Sequence, residues 1–151
     1  MMMSPANDTV LEITRVFDAP PTRVFEAWLD RGQFQSWIGP EGVACDVQLF
    51  EPQVGGRFRL VMNVADGRAI PVSGVFKSIE PSRRLVLSWG WEGDPLRQTL
   101  ITLTFKALGG RTELTLRQEG FGTVESRDGH VRGWTSALGK LEQYLSKGAT
   151  Q

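Results

Sequence analysis

Apolar and polar positions alternate along most of this chain, and the period of the alternation changes twice. Residues 9–18 are rich in β-branched side chains and alternate in part, which predicts a strand. Ala19-Pro20-Pro21 stops it, because proline has no amide hydrogen for a ladder; Pro21 then suits a first helical turn. Val24, Phe25, Trp28 and Leu29 recur at three- and four-residue steps and predict a short amphipathic helix over 21–30. Asp30-Arg31-Gly32 ends it, and Phe34 and Trp37 predict another helical turn, closed by Gly39-Pro40. From 43 to 119 the period is two, with strands predicted over 43–50, 56–64, 69–79, 84–91, 98–107 and 112–119. Between them stand Val54-Gly55-Gly56, Asp66-Gly67, Glu80-Pro81-Ser82, Gly93-Asp94-Pro95 and Gly109-Gly110, all turn signals. Asp66-Gly67 is a pair that a type I′ hairpin favours, since both central residues then need positive φ. Strands joined so tightly imply an antiparallel meander. The helical period then returns. Val131, Trp134, Leu138, Leu141 and Leu145 form one apolar stripe on a helix predicted over 127–147. Ser126 or Asp128 is a candidate cap at its start, Lys147 suits its negative pole, and Gly148 offers a stop.

These elements make an α+β domain over 9–147, with loose tails at 1–8 and 148–151. A sheet with one apolar face must cover it, and the long helix is the natural cover. A curved sheet around one helix leaves space at the helix ends, so a cavity is expected. Alternation puts Phe58, Leu60 and Met62 on one strand face, with Leu87, Trp89 and Trp91, then Ile101, Leu103 and Phe105, then Leu114 and Leu116 on others. Core packing accounts for most of them. Three tryptophans near one helix, Trp89, Trp91 and Trp134, are hard to pack without gaps and are candidates for a pocket wall. Gly133 costs the helix about 1 kcal/mol relative to alanine, which implies close approach of helix and sheet there.

Composition narrows the chemistry. The chain has 151 residues, with 17 basic and 17 acidic side chains and a net charge of zero. That balance lacks the basic footprint of a nucleic-acid binder and any general attraction to anionic membranes. One cysteine, Cys45, excludes an intrachain disulfide, and one histidine, His130, excludes a multi-histidine metal site within the chain. No cofactor is expected. The N-terminus lacks a basic start and an apolar core, and no apolar run approaches the ~18 residues of a membrane span. With a free thiol, this points to the cytoplasm. His130 could act as a base but has no partner nearby in sequence to orient it. Cys45 reads as an inert strand thiol, and Gly55-Gly56 as a hairpin rather than a phosphate loop. Arg57 and Arg59 share the opposite face of the Phe58 strand and read as a solvated outer face rather than a small anion site, and Glu92 and Asp94 fall in a solvated turn.

Several segments in consistent order resemble the activator of heat-shock-protein-90 ATPase homologue family, within the START-like helix-grip (SRPBCC) superfamily. They are Phe17-Asp18-Ala19-Pro20 with Val24-Phe25-Glu26-Ala27-Trp28, Trp37-Ile38-Gly39-Pro40, Val54-Gly55-Gly56-Arg57-Phe58-Arg59, Gly74-Val75-Phe76, Arg84-Leu85-Val86, and His130-Val131-Arg132-Gly133-Trp134 with its following leucines. The resemblance implies a seven-stranded antiparallel sheet gripping the C-terminal helix, two small helices at one end, and a cavity of the kind relatives use for lipids, polyketides, hormones and antibiotics. It also brings in a stress-response chaperone as a partner to weigh, beside a homodimer. The expected function is binding of a small hydrophobic or aromatic molecule at Trp37, Phe58, Leu60, Met62, Phe76, Trp89, Trp91, Gln118, His130, Trp134 and Leu138. The alternatives are an enzyme of polyketide or xenobiotic chemistry, using His130, Gln118 or Glu119, and a chaperone-associated interaction module.

Overall fold

Two prolines set the point where the first strand gives way to the first helix. Strand β1 (Val10–Phe17) ends before Pro20, whose extended backbone occupies the cap position, and Pro21 opens α1 (Pro21–Leu29). The computed structural model describes residues 9–64, 66–92 and 98–149. Asp30 closes α1 through its backbone and starts α2 (Arg31–Trp37), its carboxylate accepting from Gln33 N–H at 3.0 Å. Six strands follow: β2 (Ala44–Phe50), β3 (Arg57–Asn63), β4 (Ala69–Glu80), β5 (Arg84–Trp91), β6 (Gln98–Leu108) and β7 (Arg111–Glu119). The long helix α3 (Val124–Ala149) completes the order.

All seven strands form one antiparallel sheet in the order β1-β7-β6-β5-β4-β3-β2, so β1 is the edge strand beside β7. Register shifts interrupt β2–β3 at Val47/Leu49 and β4–β5 at Phe76/Ser78, the kind of irregularity that bends a strand and raises local twist. The expected faces hold: Phe58, Leu60, Met62, Ile101, Leu103, Phe105, Leu114 and Leu116 are buried, as are Trp134, Leu138, Leu141 and Leu145 of α3. Burying these two apolar faces against each other is the dominant favourable term in the fold.

Details differ from the pattern-based expectations. Helix α3 begins three residues early, because Thr123 Oγ1 accepts from Ser126 N–H at 3.0 Å; Thr123 is the cap, rather than Ser126 or Asp128. It also runs through Gly148, which does not stop it. In the β3–β4 turn Gly67 adopts φ 91° and bonds back to Val64 O, while Val64 N–H bonds Arg68 O. Ser82 is the one non-glycine at positive φ among the described residues, so Asp66 does not form the type I′ turn; the glycine takes a bulge position instead. The turn expected at Gly93-Asp94-Pro95 and the tail 1–8 lie outside the described residues.

Candidate functional site

The N-terminal half of α3 stands off from the sheet and leaves a cleft of about 320 Å³. One wall is α3 itself, with Gly129, Gly133 and Ala137 at four-residue steps and His130 and Trp134 between them. The opposite wall is Met62 of β3 with Trp89 and Trp91 of β5; Ile38, Gly39 and Pro40, after α2, form the third side. Glu125 and Ser126 complete the lining. A narrower recess shares Trp89, Trp91, Ser126 and His130 with the cleft and adds Thr99, Phe121 and Gly122; it leaves no room for a water.

Of the expected site residues, Met62, Trp89, Trp91, His130 and Trp134 line the cleft. Trp37, Phe58, Leu60, Phe76 and Leu138 do not: each is at most 2% exposed and packs in the core behind it. Aromatic rings run through that core in contact. Trp37 meets Trp28 at 4.6 Å between centroids, Trp28 meets Trp134 at 5.8 Å, Trp134 meets Trp89 at 5.2 Å, and Trp89 meets Phe58 at 5.9 Å. Gln118 is also fully buried and spends its amide on its neighbours. Its Oε1 accepts from Trp134 Nε1 at 2.8 Å, its Nε2 donates to Thr99 Oγ1 at 2.8 Å, and Thr99 donates to Trp89 O at 2.6 Å. This chain of hydrogen bonds fixes the Trp134 ring against β5, so Gln118 positions a wall of the cleft without lining it.

The pattern missed the small side of the cleft. Gly133 was expected to sit hard against the sheet, yet a Cβ placed there meets only Pro40 Cγ, at 3.7 Å, an ordinary contact. It leaves room in the cleft instead. Two hydrogen bonds hold the 38–43 wall onto α3: Lys140 Nζ donates to Gly39 O at 3.1 Å, and Glu41 N–H donates to Ser136 Oγ at 2.7 Å. Gly39 itself needs glycine, since it sits at φ 94° and a Cβ would come within 2.6 Å of Cys45 Sγ.

The polar atoms of the site are few. His130 Nδ1 lies 2.8 Å from Ser126 O; a carbonyl only accepts, so Nδ1 carries the hydrogen and Nε2 is a bare lone pair. Burial lowers the His130 pKa, against a smaller raising effect of that hydrogen bond, which keeps the ring neutral. Four buried side-chain atoms find no hydrogen-bond partner among the described residues, and two of them, His130 Nε2 and Trp89 Nε1, belong to the cleft; Trp28 Nε1 and Gln33 Oε1 lie elsewhere. Leaving such an atom unpaired costs about 1–3 kcal/mol. Among the described residues no carboxylate is hydrogen-bonded to the imidazole. Burial pushes the Cys45 thiol up to about 11, with Lys140 opposing, which leaves it a poor nucleophile. Arg57 and Arg59 form no anion site. Arg59 makes a bidentate pair with Glu92 at 2.8 and 3.0 Å, and Arg57 approaches Glu51 at 3.9 Å. The described residues include no cluster of metal-ligating side chains.

Comparison with known proteins places this geometry. The family model described as Activator of Hsp90 ATPase homolog 1-like protein matches residues 18–146. The chain belongs to that family. Its fold is shared by a crystal structure of a Chromobacterium violaceum protein, with a TM-score of 0.84 and 26% identity over 89% of this chain and 95% of that one. The AHSA1 protein of Silicibacter pomeroyi aligns with a TM-score of 0.81 and 27% identity over 92% and 99% of the two chains. A Rhodobacter sphaeroides protein aligns at 0.80 and 28% over 97% and 98%. No curated protein matches the sequence. The α+β class expected from the pattern, and the helix-grip fold that the resemblance implies, are the fold of this family member. No helix among the described residues is long and apolar enough to cross a membrane.

Proposed function

We propose that this protein binds a small hydrophobic or aromatic molecule in the cleft between α3 and the sheet. The observation that carries the reading is the cleft itself: about 320 Å³, walled by Trp89, Trp91, Trp134, Met62 and Ile38, with isolated polar groups. Ligand sites typically occupy about 300–1,000 Å³ and pair an apolar lining with a small number of placed polar atoms. The family's fold commonly serves hydrophobic ligands, which supports the same conclusion. Large apolar side chains exposed among the described residues are Val54, Leu108 and Val124, on three different parts of the chain. They offer a protein partner less than the cleft offers a small molecule. The free thiol of Cys45 suits a cytoplasmic setting.

Three of the five tryptophans line the cleft, so titration with naphthalene should quench intrinsic fluorescence. Trp91→Ala should weaken binding about tenfold or more, while Arg57→Ala, on the outer face, should leave it unchanged. Native mass spectrometry of the purified protein should find a copurified small molecule. Absence of quenching across a library of small aromatics would overturn the reading. Time-dependent conversion of a bound compound, abolished in His130→Ala, would replace it with catalysis.

A further inference from the structure

Trp89 is 3% exposed, and its Nε1 has no partner among the described residues; neither has His130 Nε2. Both side chains line the cleft and the recess that adjoins it. Their chemistry is complementary. The bond from Nδ1 to Ser126 O makes His130 Nε2 an acceptor, whereas an indole nitrogen can only donate. A ligand that answers both must offer a hydrogen and a lone pair, and a hydroxyl carries both. A carboxylate offers no hydrogen, and it would also meet Glu125 on the cleft lining.

Building on the binding function above, we propose that the ligand is a hydroxyl-bearing aromatic, with His130 Nε2 accepting its hydroxyl hydrogen and the Trp89 indole N–H donating to ligand oxygen. The ring lies against Trp91 and Trp134, and its hydroxyl end points to the boundary of cleft and recess, where Trp89, Trp91, Ser126 and His130 line both. The neutral state of the buried imidazole keeps Nε2 available.

The test compares 1-naphthol, naphthalene and 1-methoxynaphthalene by calorimetry. In a purely apolar cleft the naphthol would bind less well than naphthalene, because its hydroxyl gives up water for nothing. The expected result is the reverse: 1-naphthol binds about tenfold more tightly than either other probe. His130 is the only histidine, so selective 15N-histidine labelling gives one imidazole to follow. Its bare-nitrogen resonance should move upfield with 1-naphthol and stay in place with naphthalene. In His130→Phe, which keeps a ring beside Phe121, the preference should vanish while naphthalene still binds. Trp89→Phe should reduce it in part. If either variant fails to fold, the wild-type probe series and the 15N shift decide alone. Equal or weaker binding of 1-naphthol with an unmoved resonance would overturn this proposal and leave cleft binding standing. Failure of all three probes to bind would overturn both.

Discussion

Trp134 joins helix to sheet through its ring and its nitrogen together. The ring is 4% exposed and touches Trp28 and Trp89, while Nε1 bonds Gln118. Trp134→Ala should cost about 3–5 kcal/mol in a urea titration, since it opens a cavity in the core. Trp134→Phe should cost less, about 1–3 kcal/mol, chiefly through the orphaned Gln118 Oε1. A loss near zero for the alanine variant would contradict the burial described. His130 gives a pH-dependent signature. Burial lowers its pKa in the folded chain below the ordinary 6.5, so the unfolded chain takes up the proton first as pH falls. Its contribution is then complete above pH 6.5 and is lost as pH falls through the folded-state value. Urea titrations at pH 7.5 and below 6 should therefore show His130→Phe gaining stability relative to wild type on acidification. A constant difference between the two would contradict a neutral, buried imidazole.

At the scale of one element, α3 carries two stripes. Its lower half is plain core, with Leu138, Leu141 and Leu145 nearly or fully buried. Its upper half shows Gly129, Gly133 and Ala137 to the cleft. Glycine in a helix interior reads the same in a sequence whether the space beside it is filled by a neighbour or left open, and here it is open. Gly133→Ala should therefore raise stability by up to about 1 kcal/mol, through helix propensity, while weakening naphthalene binding by narrowing the cleft. Thermal unfolding and fluorescence titration of the same variant test both halves. A fall in melting temperature would restore the close-packing expectation.

Across the whole molecule, polar contacts outside the core help tie α3 to the rest of the chain. Arg15, on the β1 face that carries Leu11 and Phe17, makes a 2.8 Å ion pair with Glu142 near the C-terminal end of the helix. Such exposed pairs are worth about 0.2–1 kcal/mol. At the cleft end, Lys140 and Ser136 hold the 38–43 wall. Combining Ser136→Ala with Lys140→Met should lower stability only modestly, about 0.5–1.5 kcal/mol per bond. It should, however, speed dissociation of naphthalene in stopped-flow fluorescence, because the wall then opens more readily. An unchanged rate would show that the ligand leaves by another side.

Periodicity alone sufficed for the elements and for the inward faces of β3, β5, β6 and β7, because a period of two or 3.6 is a local property that burial of one face imposes. Thr9 to Phe17, the alternation through Phe58 and Met62, and the stripe from Trp134 to Leu145 all carried it. The tertiary structure decided which buried residues meet empty space. Phe58 and Met62 share a strand face, yet Phe58 packs under Trp89 while Met62 lines the cleft. That difference depends on how far the bent sheet stands from α3, a distance set by contacts remote in sequence. The same holds for Gln118, whose partners lie 16 and 19 residues away, and for the Gly39-Pro40 wall, which binds α3 about a hundred residues further on. Polar pairing and cavity shape are sums over several elements at once, and no one segment's pattern encodes them.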